Sequence, residues 1–260
     1  MHLADGVLTD SSIAVGLNLL GAAAVGVALT RTQGDARKLV WTGTLAAFVL
    51  AAQALNVPAV PGASAHMIGA GLLTLTLGAG QAIVALSGVL LVQALLLGDG
   101  GITVLGLNAL NLAVLPVCCI QGLRWLLGNG RRALLATGLL GTLLGNLLGA
   151  LSLGGALVLG AGAPLGFTLT WLVGVQGLAG LAEGALTALT IGSLLKNAPG
   201  LLELGPIGRR SLDQQPEPPR GARGIRWAAL ALAVTMALLP FASGKPDALE
   251  VVVERLQATP

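Results

Sequence analysis

Apolar residues come in long runs, near positions 12–30, 39–55, 65–80, 82–97, 103–122, 133–159, 167–194 and 226–241, separated by short polar or Gly-rich stretches. Runs of 17 or more such residues predict helices that cross a membrane, because only a helix or a closed barrel satisfies its backbone in lipid. Barrel strands would show a long apolar/polar alternation, and none is present. The pattern therefore predicts an all-α polytopic bundle of seven spans, with one further span near the C-terminus. The third and fourth runs are short and meet at Ala79-Gly80-Gln81. Composition agrees: 55% of residues are apolar and only 10% charged, with a mean hydropathy of +0.87, where a soluble domain carries about 25% charged residues.

Charge adds an orientation. Arg31, Arg37 and Lys38 follow the first run, Arg124, Arg131 and Arg132 the fifth, and Lys196, Arg209, Arg210, Arg220, Arg223 and Arg226 the seventh. The opposite loops, 56–64, 98–102 and 160–166, hold no Lys or Arg and a single acid, Asp99. Basic residues accumulate on the cytoplasmic side, so the N-terminus is expected outside, in a multi-pass protein of the cell membrane. The net charge of +3 is too small and dispersed to indicate nucleic acid. Three parts are expected: a membrane domain over 1–204, a Pro-, Arg- and Gln-rich cytoplasmic linker over 205–225, and a span with a tail over 226–260. Leu249, Val252, Val253 and Leu256 would share one face of a short tail helix. Gly141, Gly145 and Gly149 recur every four residues, a spacing that lets helices approach closely in lipid. Gly16, Gly21 and Gly26 in the first run are weaker candidates for a partner-facing surface. Cys118 and Cys119 are adjacent, read as small buried packing residues rather than a disulfide or zinc site.

Only two histidines occur, His2 and His66. A histidine at position 2 places the Met1 amine, its own amide nitrogen and its imidazole within one short stretch. These can close a five- and a six-membered chelate ring around an ion, nearly in a plane. A fourth nitrogen from His66 would complete a square, the geometry suited to Ni(II) or Cu(II). The loop charges put both imidazoles at the same outer end. The N-terminus lacks a basic n-region, so cleavage of a signal peptide is not expected, and His2 is too bulky to favour removal of Met1. The other embedded polar residues are Gln53, Asn56, Gln81, Gln93, Asn108, Asn111, Asn146, Gln176 and Glu183. Such groups are costly in lipid and often functional. Glu183 either tunes conformation and ligand orientation or bonds a neighbouring helix. Asp99 either concentrates cations and orients a ligand histidine or is an ordinary loop acid. No Walker A loop, hydrolase elbow or HExxH motif occurs, and no intramembrane ion-pair relay, so active transport would need an energising partner. A reading of another class is a helical membrane enzyme or scaffold with structural histidines.

Four segments resemble the substrate-binding (S) components of nickel and cobalt energy-coupling-factor (ECF) transporters, the NikM/CbiM family. They are Met1-His2-Leu3-Ala4-Asp5-Gly6-Val7-Leu8, the loop from Asn56-Val57-Pro58 to Gly62-Ala63-Ser64-Ala65-His66, the run from Leu91 through Gly98-Asp99-Gly100-Gly101 to Asn108, and Ala182-Glu183-Gly184-Ala185-Leu186-Thr187-Ala188. The resemblance implies a divalent cation, Ni(II) or Co(II), held as transported substrate by Met1, His2 and His66, with no organic cofactor. Asp99, Asn56, Ser64 and Asn108 would orient the ligands. It also implies a transmembrane coupling protein (NikQ/CbiQ-like) and ATPase subunits (NikO/CbiO-like) as partners. Gly244-Lys245-Pro246-Asp247-Ala248-Leu249-Glu250 resembles the PDGLE segment of the accessory subunit NikN, with Ala248 where that pattern has Gly and no further span after it. A planar four-nitrogen site and a NikN-like tail favour nickel, with cobalt next. Gln176 receives no ligand role.

Overall fold

The computed structural model describes residues 1–32, 36–202 and 244–258; the linker at 205–225 and the span at 226–241 lie outside them. The described residues form an all-α membrane bundle. Helices run α1 (Ser11–Arg31), α2 (Ala36–Gln53), α3 (Ala70–Leu77), α4 (Ala79–Leu97), α5 (Leu105–Leu127), α6 (Arg131–Ala161), α7 (Leu165–Asn197) and α8 (Ala248–Gln257). Among them five, α1, α4, α5, α6 and α7, are long and apolar enough to cross a membrane, and α2 contributes a shorter apolar stretch, Lys38–Gln53. The long helices α4, α5 and α6 each contain one π turn, at Gln93–Leu97, Leu110–Val114 and Thr137–Gly141.

The third apolar run departs from a simple span. Its helix has only eight residues, about 12 Å at 1.5 Å per residue, too short to cross. The segment before it is an antiparallel hairpin, β1 (Val57–Val60) paired with β2 (Ala63–Ala65), followed by an irregular stretch to Gly69. Hydropathy does not distinguish this from a helix, because β2 and the stretch after it are almost wholly buried and apolar. The left-handed backbone of Gly69 opens α3, and a side chain there would strike Val49.

Packing follows the small residues. In α6, side chains at Gly145 and Gly149 would run into Pro116 and the Asn111 carbonyl of α5, and Gly141 lies against Ile120. This stripe therefore serves contact within the bundle. In α1, Gly21 meets the Gly106 carbonyl, whereas Gly16 and Gly26 face open space. The cysteines correct the reading of them as buried packing. Cys118 is exposed and Cys119 half-buried, both free thiols, because α5 turns Val117, Ile120 and Arg124 inward and leaves these two on the flank. The tail helix forms as its pattern predicts, with Leu249 and Val252 buried and Val253 and Leu256 half-buried.

Candidate metal centre

The N-terminal segment lies in a cradle made by the loop between α4 and α5. Leu3 donates its N–H to Asn108 Oδ1 at 2.9 Å, and its carbonyl accepts from Asn108 Nδ2 at 2.9 Å and from the Gly101 N–H at 2.8 Å. Two residues on, the Asp5 carboxylate accepts from the Ile102 and Thr103 amides and the Thr103 hydroxyl. The loop's glycines have a steric reason. A side chain on Gly101 would occupy the place of Asp5, and Gly100, at φ +95°, lies against the His2 Cβ. Met1 and Leu3 are consequently buried, unlike most chain termini.

Burying the terminus brings the nitrogen donors together. The Met1 amine lies 2.7 Å from His66 Nε2, and the two imidazoles stack at 5.0 Å between centroids, 23° from parallel. His66 Nδ1 donates to the Met67 carbonyl at 3.0 Å, which turns the Nε2 lone pair toward the amine. Burial, then the charge of the α-ammonium and of His2, pushes the His66 pKa down to about 3. The ring is therefore neutral at physiological pH, the form a metal ligand needs. His2 is also lowered, by burial, against the opposing pull of Asp99. Its Nδ1 pairs with Asp99 Oδ1 at 2.9 Å, and its buried Nε2 has no partner. A six-membered chelate ring would need Nδ1, the atom that here bonds Asp99. Burial pushes the Asp99 carboxyl up, but its hydrogen bond to His2 outweighs that and holds it below the usual carboxylate value. No group of three His, Cys, Asp or Glu side chains among the described residues could hold an ion unaided; a site here depends on the backbone nitrogens of the N-terminus.

The orienting residues divide. Asp99 bonds His2, while Asn108 bonds Leu3, fixing the terminus rather than an imidazole. Ser64 does not reach the histidines: its N–H and hydroxyl bond the carbonyls of Pro246 and Lys245, pinning the tail. Asn56, at the head of β1, has a buried Oδ1 without a partner and no bond to the centre. Glu183 holds the turn after His66. Its two carboxylate oxygens accept the amides of Ile68 (2.9 Å) and Gly69 (2.8 Å), and Asn146 Nδ2 donates to it at 3.1 Å. It thus holds the backbone that follows His66 and also joins α7 to α6. Gln176 is buried with an unpartnered Nε2 and touches none of the donors.

The residue that sequence reasoning missed as part of the site is Asp247. Its Oδ2 lies 2.5 Å from the Met1 amine, while Oδ1 accepts the Leu249 and Glu250 amides at the start of α8. The amine's charge overcomes burial and holds the Asp247 carboxyl well below the usual range. Asp247 and Glu250, three apart before an apolar run, form a capping box at the start of α8; such a local signal marks a helix start and says nothing of a contact 246 residues away.

A multi-pass membrane protein with a buried, nitrogen-rich N-terminal centre is what this fold and site define. Residues 2–201 match the family model CbiM, "Cobalt uptake substrate-specific transmembrane region", and the chain belongs to that family. A protein of Archaeoglobus fulgidus named as a fused nickel transport protein, NikMN, is 32% identical over 207 residues, covering 78% of this chain and 68% of its own. The cobalt transport protein CbiM of Thermosediminibacter oceani is 34% identical over 164 residues, covering 60% and 67%. A crystal structure of a transition metal transporter superposes with a TM-score of 0.65 at 27% identity, covering 83% of this chain and all of that one. The chain is thus a nickel/cobalt transport membrane protein of the NikM/CbiM family, and the reading of it as an enzyme or scaffold falls away.

Proposed function

We propose that this chain is the substrate-binding subunit of an ECF-type importer and captures Ni(II), or Co(II), through the Met1 amine, the His2 amide and imidazole, and His66. The observation that carries the reading is the buried Met1 amine 2.7 Å from the lone pair of a neutral His66, with the His2 ring stacked against it. These donors are borderline nitrogens, matched to Ni(II), Cu(II) and Co(II) rather than to Ca(II) or Mg(II). The ion displaces protons from the amine and amide as it binds, so uptake weakens with acid. The half-open Asp99 at the mouth of the site attracts the cation and then releases His2 Nδ1 to it. Energy comes from ATPase subunits through a coupling protein, since this chain has no phosphate-binding loop.

The test is Ni(II) and Co(II) titration of the purified chain beside a form carrying extra residues before Met1. An extension turns the amine into an amide and removes the first donor, so binding should fall by orders of magnitude. Undiminished binding by the extended form sinks the chelate.

A further inference from the structure

We infer, on the basis of the chelate proposed above, that Asn18 is a positioning residue for the metal site. From α1 it fixes the stretch of backbone that holds the N-terminal segment, and so ties the place of α1 in the bundle to the presentation of Met1 and His2.

Asn18 is the only polar side chain of α1 between Ser12 and Thr30, and an amide at that depth is costly unless bonded. Both of its ends are bonded, and both to the start of α5. Its Nδ2 donates to the Thr103 carbonyl at 3.0 Å, and its Oδ1 accepts the Leu107 N–H at 3.1 Å. The second bond has a local cause. The first amides of a helix lack partners within it, and a side-chain oxygen at the cap commonly serves the second or third of them. The cap of α5 is Val104, which has no such atom and is buried in the core. Asn18 supplies the missing acceptor from another helix. Two glycines let the helices come this close: a side chain on Gly106 would strike the Asn18 carbonyl, and one on Gly21 the Gly106 carbonyl.

The residues that Asn18 holds are those that hold the terminus. Thr103 gives its carbonyl to Asn18 and its N–H and hydroxyl to Asp5. Asn108, next to Leu107, grips both the N–H and the carbonyl of Leu3. Contacts therefore run from α1 through 103–108 to Asp5 and Leu3, and end one residue from His2. A chelate needs the amine, amide and imidazole held together, and freeing 103–107 would let the segment leave its cradle. Among the five long apolar helices α1 is the least buried, and it packs chiefly on α5. A displacement of α1 would loosen the donors without touching any of them.

The experiment reads two quantities on the purified full chain. One is the rate at which an amine-reactive reagent modifies Met1 in the metal-free protein, counted against the exposed Lys196; the other is the affinity for Ni(II). Both are compared in wild type, Asn18→Leu, Asn18→Ala and Gly138→Ala, with the N-terminally extended form added for nickel. Leu suits the apolar surroundings of α1, and Ala removes both bonds without adding bulk. Gly138→Ala presses on Ala188 of α7, away from the loop, and serves as a packing lesion. Both Asn18 variants should label Met1 several-fold faster and hold nickel about tenfold more weakly, as losing an outer partner does, and Gly138→Ala should do neither. Wild-type labelling and affinity in the Asn18 variants overturn the assignment. So does an equal rise in Gly138→Ala, which would make the effect one of general loosening. Equal nickel affinity of wild type and the extended form overturns the chelate and this role with it; labelling of the metal-free chain separates that failure from a failure of Asn18 to hold the terminus.

Discussion

His66 shows how much one residue can carry. Its Nε2 faces the Met1 amine, its Nδ1 is fixed by the Met67 carbonyl, and it is buried. We expect His66→Ala to lose more metal affinity than the ten- to hundredfold typical of an outer partner, with the folded protein still purified as a monodisperse species. Normal uptake by this variant would show the ligand set to be wrong. The same burial predicts a pH dependence of stability. An unfolded His66 takes up a proton near 6.5, but the folded ring resists it until about 3. Between those values the unfolded state binds more protons, so stability rises with pH and is lost as pH falls through the window. Thermal unfolding in detergent from about pH 4 to pH 7 should follow that slope, and His66→Ala should flatten it. An unchanged slope in the variant would place the titrating group elsewhere. At this scale the two histidines and Met1 stood out as candidate donors because so apolar a chain offers few others. The contact of Asp247 with the amine was not legible, because no local spacing links it to Met1.

At the scale of elements, the third apolar run decides the site. It is hairpin, irregular stretch and short helix rather than a continuous helix, and that break lets the backbone carry His66 into the bundle. Irregular backbone inside a membrane protein survives only where its polar groups are satisfied, and Glu183 satisfies the Ile68 and Gly69 amides. Glu183→Leu should therefore destabilise the protein by about 2–6 kcal/mol, from two buried donors left unpaired at about 1–3 kcal/mol each. Glu183→Gln, which keeps one acceptor, should cost less, and both should weaken metal binding through the displaced turn. Equal melting temperatures for Leu and wild type would mean the amides find other partners. The acid's position in the seventh run was legible; its partners 114 and 115 residues away were not. The hairpin escaped the pattern because a buried strand and a buried helix are equally apolar.

For the whole molecule, the bundle brings together stretches far apart in the chain: Met1, the loop before α5 and the segment at Lys245–Asp247 meet beside the two histidines. Importer function predicts that the chain in sealed vesicles accumulates no metal until a coupling protein and ATPases are reconstituted with it and ATP is added. ATP-independent accumulation by the chain alone would overturn the proposed assembly.

By itself the sequence determined the class of fold, the places of the long apolar helices and which residue types were candidate donors. Hydropathy reports which segments leave water, and a lone pair of histidines reports what chemistry is left. Only the tertiary structure decided that Met1 is buried, that Glu183 serves the His66 turn, that Ser64 holds the tail and that Asp247 reaches the amine. Each is a contact between residues distant in the chain, set by how helices pack and where the backbone is interrupted. Neither leaves a periodic trace in composition.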